Sequence, residues 1–288
     1  EVSEQILHSM EDMGIRVFLN LNLLEARQVN GQKVLTFEDR LSGEKVELAG
    51  EEVMYATGVR PATGGLQLEK TSVVTDDRGW IKTNEFLETN VEGIWALGDV
   101  NGQPAFRHKA NYEAEILAHN LFQDNEPCNW RWACYDIVPA VTFTYPQVAH
   151  VGLSEEQAVK QGYEVKIGKQ YYHNTAKGYA LGYTKGESTD GFVKLVVEKA
   201  TNKMLGMHVI GAQASILIQP FINLLNLGTR KLKPIHEEIG SATAKELRSI
   251  GLERTLDPHS VISVGETMTP HPSLAEVIMW TQYYFEGK

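Results

Sequence analysis

Cysteine, net basic charge, long apolar runs and a glycine-rich phosphate loop are all scarce or missing in this chain. Its 288 residues include two cysteines, Cys128 and Cys134. So few thiols exclude a disulfide-stapled scaffold, and a reducing, cytoplasmic setting is expected. The two thiols sit among Trp130, Arg131 and Trp132 in a linker-like stretch and read as ordinary cysteines. Acidic residues outnumber basic ones 37 to 27, for a net charge of −10. A surface of that sign repels phosphate backbones and anionic lipid, which excludes nucleic acid and membrane surfaces as partners. No apolar run approaches the ~18 residues of a membrane-spanning helix. The opening Glu1-Val2-Ser3-Glu4 is too polar for a secretion signal. No G-x-G-x-x-G occurs, so the backbone cradle that a dinucleotide pyrophosphate needs is not expected. His8, His119, His150, His173, His208, His236 and His259 show no ligand spacing, and no metal site is expected.

What is present reads as two rhythms. Val2, Ile6, Met10 and Met13 follow helical spacing with Gly14 as the stop, and Ile15–Leu19 then predicts a buried strand. Asn30-Gly31 and Ser42-Gly43 are turn signals that predict a three-stranded meander over Leu24–Val29, Lys33–Phe37 and Lys45–Leu48. Another strand is expected in Glu52–Pro61, ending at Gly58. Asp77-Arg78-Gly79-Trp80-Ile81 reads as a turn into a strand. After the Asp124–Pro127 linker the pattern becomes α+β. Strands are expected near Val138–Thr144, Glu164–Tyr172, Phe192–Glu198 and Leu205–Ile210. Ser154-Glu155-Glu156-Gln157 is a capping box for a short helix, and Ala214–Leu227 predicts a longer one. Thr229–Asp257, rich in Lys and Glu, reads as a solvated helical insertion.

Two stretches carry chemistry. In the first, the apolar run Ile94-Trp95-Ala96-Leu97 predicts a buried strand that stops at Gly98-Asp99. Gly98 permits a sharp turn and close approach to a ligand, and Asp99 would stand at the carboxyl end of that strand. Downstream, Pro104 to Ala110 opens a helix running from Arg107 to Leu121, with His108 in its first turn. A carboxylate suited to polyol hydroxyls beside a helix N-terminus suited to an electron-rich ring describes a flavin site. In the second stretch, His271-Pro272-Ser273-Leu274-Ala275-Glu276 allows two readings. Ser273 and Glu276 can form a capping box that leaves His271 idle. Alternatively, Glu276 holds one imidazole nitrogen of His271 and frees the other for proton transfer, as thiol chemistry requires.

The strings A-T-G-x-R-P (Ala56–Pro61), T-x-x-x-x-I-W-A-x-G-D (Thr89–Asp99), V-P-x-x-x-F-T-x-P (Val138–Pro146), G-M-H-V-I-G-x-x-A (Gly206–Ala214) and H-P-x-x-x-E (His271–Glu276) occur in this order. Together they resemble the class I pyridine nucleotide-disulfide oxidoreductases, the family of dihydrolipoamide dehydrogenase, mycothione reductase and glutathione reductase. The resemblance implies an α/β and α+β fold with three parts. These are the C-terminal part of a Rossmann-type NAD(P) domain (1–63), the C-terminal, second part of the FAD domain (64–128) and an α+β interface (dimerisation) domain (129–288). It further implies that Gly98 and Asp99 serve the ribityl chain of FAD, and that Ala105, Phe106, Arg107 and His108 lie against the pyrimidine edge. Gly58 belongs to the segment returning from the NAD(P) domain to the flavin domain. His271 and Glu276 would be the acid–base pair for a small dithiol or disulfide substrate, and the interface domain would make a homodimer. The family's first flavin motif, its C-x-x-x-x-C disulfide and its NAD(P) glycine turn have no counterpart here. The expected part is therefore the C-terminal portion, binding FAD or NAD(P) weakly or not at all by itself. A flavin oxidase or ferredoxin-reductase type, or a dimerising module without cofactor, are the competing readings. Thr229–Asp257 departs from the family, which has a short connection there.

Overall fold

The computed structural model describes residues 1–123, 126–260 and 262–281. The chain divides into two compact units, one over 3–60 and one over 61–288. The fold is mixed α/β. The first unit contains α1 (Val2–Asp12), ended as expected at Gly14, whose N–H bonds the Glu11 carbonyl at φ +77°. An antiparallel meander follows, β1 (Leu21–Val29), β2 (Gln32–Asp39) and β3 (Lys45–Gly50), turned at Asn30-Gly31 and at Ser42-Gly43. Asp39 Oδ1 accepts the N–H groups of Leu41 and Ser42 and so fixes the second turn. Ile15–Leu19 and Glu52–Pro61 are irregular rather than strands. The meander pairs only with itself, and no described strand lies beside these runs to satisfy their backbone. Ser9 and Thr36 are the buried residues of this unit.

The second unit opens with irregular chain pinned by local bonds. Asp76 Oδ1 accepts the N–H groups of Arg78 and Trp80 in the expected turn, and Thr75 bridges Ile81. Ile94–Leu97 is likewise a bridge, Glu88 to Trp95, and not a full strand. Then come α2 (Arg107–Ala118), β4 (Ala140–Thr142), β5 (Gln147–Gly152), α3 (Glu155–Lys160), β6 (Val165–Tyr171), α4 (Ala176–Ala180), β7 (Phe192–Glu198) and β8 (Met204–Gly211). Residues 124 and 125 of the expected linker lie outside the described residues. β4 to β8 form one antiparallel sheet in the order β4-β5-β8-β7-β6. The capping box of α3 is complete: Gln157 N–H bonds Ser154 Oγ, and Ser154 N–H bonds Gln157 Oε1.

Strand alternation sends Ala149, Val151, Met207 and Val209 to one face of this sheet. There they pack against Ala214, Ile218 and Ile222, from α5 (Ala214–Leu217) and α6 (Gln219–Asn226). The single helix expected over Ala214–Leu227 is thus two, because Pro220 in the first turn of α6 has no N–H to continue the preceding ladder.

Thr229–Asp257 is not a solvated helix. It forms an antiparallel pair, β9 (Gly228–Lys231) with β10 (Glu253–Leu256), around α7 (Ala242–Ser249). Ala244 and Leu247 of α7 pack with Phe86 and Trp132. Arg248 then makes a forked contact with fully buried Glu85, Nε to Oε1 at 2.6 Å and Nη2 to Oε2 at 2.7 Å. Some of the charge in a segment that reads as solvated is thus turned inward. Beyond it lie α8 (Ile262–Gly265) and α9 (Glu276–Trp280).

Removing one partner of a buried ion pair strands the other charge without water. Arg248→Met should therefore lower unfolding free energy by about 3–5 kcal/mol. Lys233→Met, which breaks the exposed pair with Asp136, should cost about 0–1 kcal/mol. Urea titrations of the two variants would check the ratio, and similar midpoints would show that Arg248 does not tie the insertion down.

Candidate functional site

The Gly98-Asp99 turn is held from beneath by buried charge. Gly98 has φ +76°, a backbone region that costs other residues. Its N–H donates to Glu113 Oε2 at 2.6 Å, and its carbonyl accepts from Lys109 Nζ at 2.8 Å. Lys109 Nζ also reaches Asn101 Oδ1 at 2.9 Å and Glu113 Oε2 at 3.2 Å. Asn101 Nδ2 donates to Glu113 Oε1 at 2.9 Å, and Tyr135 Oη donates to the same oxygen. Lys109 and Glu113 are both fully buried, one turn apart on α2. Burial pushes the Lys109 ammonium below its ordinary value, against the opposing pull of Glu113. Burial beside the Glu113 carboxylate pushes the Tyr135 phenol up. This knot leaves Asp99 exposed at the turn, with Gly102 N–H on its backbone carbonyl.

α2 begins at Arg107 with no side chain capping its N-terminus. Ala105 and Arg107 are exposed and Phe106 is half-buried, stacked on His108 with ring centres 5.0 Å apart. His108 is buried and bonds the Pro139 carbonyl through Nε2 at 3.0 Å. A carbonyl only accepts, so Nε2 carries the hydrogen. Its Nδ1 is buried with no partner. Burial pulls the His108 imidazolium below its usual range. The bond to Pro139 opposes this, His271 adds to it, and Glu276 opposes it.

The second stretch pairs His271 with Glu276 and keeps one half of the capping box, the bond from Ser273 N–H to the Glu276 carboxylate. His271 Nδ1 lies 2.9 Å from Glu276 Oε1, and Ser273 N–H donates to Glu276 Oε2 at 3.1 Å. Ser273 Oγ accepts from Ala275 N–H at 3.2 Å and donates to the Ser215 carbonyl at 3.1 Å. Glu276 is buried, while the His271 side chain is 39% exposed. With Nδ1 donating to the carboxylate, Nε2 of a neutral His271 keeps an open lone pair. Gly58 belongs to the unit over 3–60, where it is exposed with φ +101°.

Sequence reasoning missed Lys109, Asn101, Glu113 and Tyr135. The Lys109–Glu113 spacing of four is visible, but on a helix it ordinarily signals a solvated pair. Cys128 is exposed, Cys134 is half-buried, and both are free thiols. Among the described residues no cluster of His, Cys, Asp or Glu could hold a metal, and no helix is long and apolar enough to cross a membrane.

Two family profiles match this chain. The one described as pyridine nucleotide-disulphide oxidoreductase covers residues 1–114, and the one described as the dimerisation domain of the same family covers 138–241. A dihydrolipoyl dehydrogenase of Thermus scotoductus is 31% identical over 97% of this chain and 52% of its own length. A mycothione reductase of Mycobacterium tuberculosis is 34% identical over 72% of this chain and 43% of its own. The chain spans about half the length of the curated relatives it matches. Among solved structures, the HOCl-induced flavoprotein disulfide reductase RclA of Escherichia coli superposes with a TM-score of 0.64. It covers 96% of this chain and 54% of its own, at 21% identity, which speaks to the fold.

Buried neutral His108 has a pH signature. Its value in the folded chain lies below the ordinary 6.5, so the unfolded chain takes up a proton that the folded one refuses. Its contribution is therefore complete above pH 6.5 and is lost as pH falls from there toward the folded value. His108→Gln should flatten the loss of unfolding free energy between about pH 7.5 and about pH 5.5. Denaturant titrations at both pH values test this, and an unchanged slope would count against a buried neutral His108.

Proposed function

Because this chain belongs to the pyridine nucleotide-disulphide oxidoreductase family, we propose that it forms about half of a flavin- and nicotinamide-dependent disulfide oxidoreductase of the dihydrolipoamide dehydrogenase kind. The reading rests chiefly on the His271–Glu276 pair. Oxidising a dithiol releases two electrons and two protons, and the thiolate rather than the thiol is the nucleophile. His271 Nε2 is the group that accepts a thiol proton. Glu276 fixes the Nδ1–H tautomer from a carboxylate that is itself held by Ser273 N–H. Only Nε2 is then free to take the proton, and returning it completes the reverse direction.

The residues around Asp99 fit part of an FAD. Asp99 is exposed beside a turn fixed by Glu113 and Lys109, α2 offers uncapped N–H groups, and the unpartnered Nδ1 of His108 awaits a donor. In this reading Gly98 and Asp99 hold the ribityl chain, and Ala105, Phe106, Arg107 and His108 line the pyrimidine edge. A flavin bound there would supply the two-electron exchange between nicotinamide and the thiols. Nothing here cradles the pyrophosphate, so this chain by itself should bind FAD weakly. In the same proposal 1–63 closes an NAD(P) domain, with Gly58 in the segment leading out of it, 64–128 belongs to the flavin domain and 129–288 is the interface domain. A mycothione reductase is as similar as the dihydrolipoyl dehydrogenase, and it makes another low-molecular-weight disulfide the second candidate substrate. The sparse thiols favour a reducing compartment, the cytoplasm.

The dimerisation profile supports a homodimer, as do the exposed apolar residues Leu274, Val277, Ile278 and Trp280 next to His271. Sedimentation equilibrium at micromolar concentration should find two copies, and a monomer would remove this part of the proposal.

The acid–base role is tested in an enzyme that joins this chain to the flavin- and nicotinamide-binding remainder carried by its relatives. His271→Ala should slow the thiol half-reaction by ~10²–10⁴-fold and leave the nicotinamide half-reaction nearly unchanged. Glu276→Gln should give a smaller loss in the same half-reaction. Stopped-flow absorbance resolves the two halves, and equal slowing of both by His271→Ala would sink the assignment.

A further inference from the structure

The dimerisation profile ends at residue 241, yet His271 is reached through thirty residues beyond it. That stretch contains α7, β10 and a run of six consecutive buried residues, Gly265 to Pro270. Glu266 is only 4% exposed and is flanked by two guanidinium groups. Arg254 donates from Nη1 to Oε1 at 3.0 Å and brings Nη2 to 2.9 Å from Oε2. Arg131 places Nε 2.9 Å from Oε1 and reaches the Gly265 carbonyl through Nη2 at 3.5 Å. The Arg254 Nη2 and Arg131 Nε contacts are ion pairs without hydrogen-bond alignment. Arg254 also lies over the Trp132 ring, 4.7 Å from its centre, and Trp132 is buried.

Next along the chain, Thr267 Oγ1 donates to Asn223 Oδ1 of α6 at 3.2 Å. Met268 packs with Leu87, Tyr112, Ile116 and Ala133. The burial of a net cationic triad is costly unless its geometry is held. Arg254 stands on β10, paired register for register with Arg230 of β9, and Arg131 sits between Trp130 and Trp132. On the other side of His271 the tie to the rest of the unit is Ser273 Oγ on the Ser215 carbonyl at 3.1 Å. Pro272 and Leu274 are exposed, and α9 is five residues long.

We propose that Arg254, supplied by the inserted β9–α7–β10 segment, is a positioning residue for His271. It acts through Glu266, fixing the buried run from which the His271 loop springs, so that Nδ1 meets Glu276 and Nε2 stays open. The insertion is then a brace for the acid–base group. This inference rests on the His271–Glu276 reading above.

Long-range nitrogen–proton NMR of the ¹⁵N-labelled 288-residue chain reads the tautomer of each histidine. The unsubstituted chain should show His271 fixed with hydrogen on Nδ1 and His108 fixed with hydrogen on Nε2. In Arg254→Leu, His271 should lose its fixed form and give averaged nitrogen signals, while His108 keeps its own. His108 is the internal control, since a general loss of structure would release both. Arg254→Lys keeps a cation beside Glu266 but not the fork. It should loosen His271 partially, and it carries the test if the leucine variant does not fold. A fixed His271 in a folded Arg254 variant overturns the proposal. An averaged His271 in the unsubstituted chain overturns the acid–base pairing itself, and the brace with it.

Discussion

A single buried ammonium underlies the geometry of the Gly98-Asp99 turn and the start of α2. Lys109 has no contact with water, and an isolated charge in that position would be several kcal/mol too costly to keep. It is tolerated because Glu113, Asn101 and the Gly98 carbonyl surround it, and each of those partners is thereby committed to one position. Glu113 alone collects Gly98 N–H, Asn101 Nδ2, Lys109 Nζ and the Tyr135 hydroxyl. The left-handed turn at Gly98 and the first turn of α2 are consequently two ends of one network. A network of this kind is strong when complete and costly when any member is lost.

The His271–Glu276 stretch uses the same economy on a smaller scale. Two readings of His271-Pro272-Ser273-Leu274-Ala275-Glu276 compete in the sequence because each asks for the Glu276 carboxylate. A carboxylate has two oxygens, and the fold gives one to His271 and the other to the Ser273 backbone. Helix capping and histidine orientation thus reinforce each other: the cap fixes the carboxylate that in turn fixes the ring. Ser273 adds a tie to the Ser215 carbonyl at the start of α5, linking this loop to the layer that covers the sheet.

How much of this could be read in advance depends on whether the determining interaction was local. The capping box at Ser154–Gln157, the Asn30-Gly31 hairpin and the strand Phe192–Glu198 follow from spacing within a few residues, and the structure reproduces them. Ile15–Leu19 and Ile94–Leu97 have strand-like composition but no complete described ladder, since a strand is defined by a neighbour that its own sequence cannot name. Pro220 could have warned that the helix over Ala214–Leu227 breaks. The insertion was misjudged for a different reason. Arg248 and Arg254 look like surface charge until Glu85 and Glu266, distant in sequence, are seen to be buried against them. Of the candidate site residues, the pairing of His271 with Glu276 was legible as a spacing. The unpartnered nitrogen of His108 was not, because it depends on the carbonyl of Pro139, thirty-one positions away.

The tie between Arg248 and Glu85 spans 163 positions. Closing a loop of that size in a disordered chain carries an entropic penalty that grows with the logarithm of its length. Most of that loop is the five-stranded sheet with the helices that cover it, and they bring the two ends together only once they are ordered. Docking of the insertion is therefore expected late in folding, after that frame is ordered. A nascent chain would expose Phe86 and Trp132 until α7 arrives to cover them. Newly made molecules accordingly pass through an interval with an open aromatic seam, in which association with other chains competes with completion of the fold.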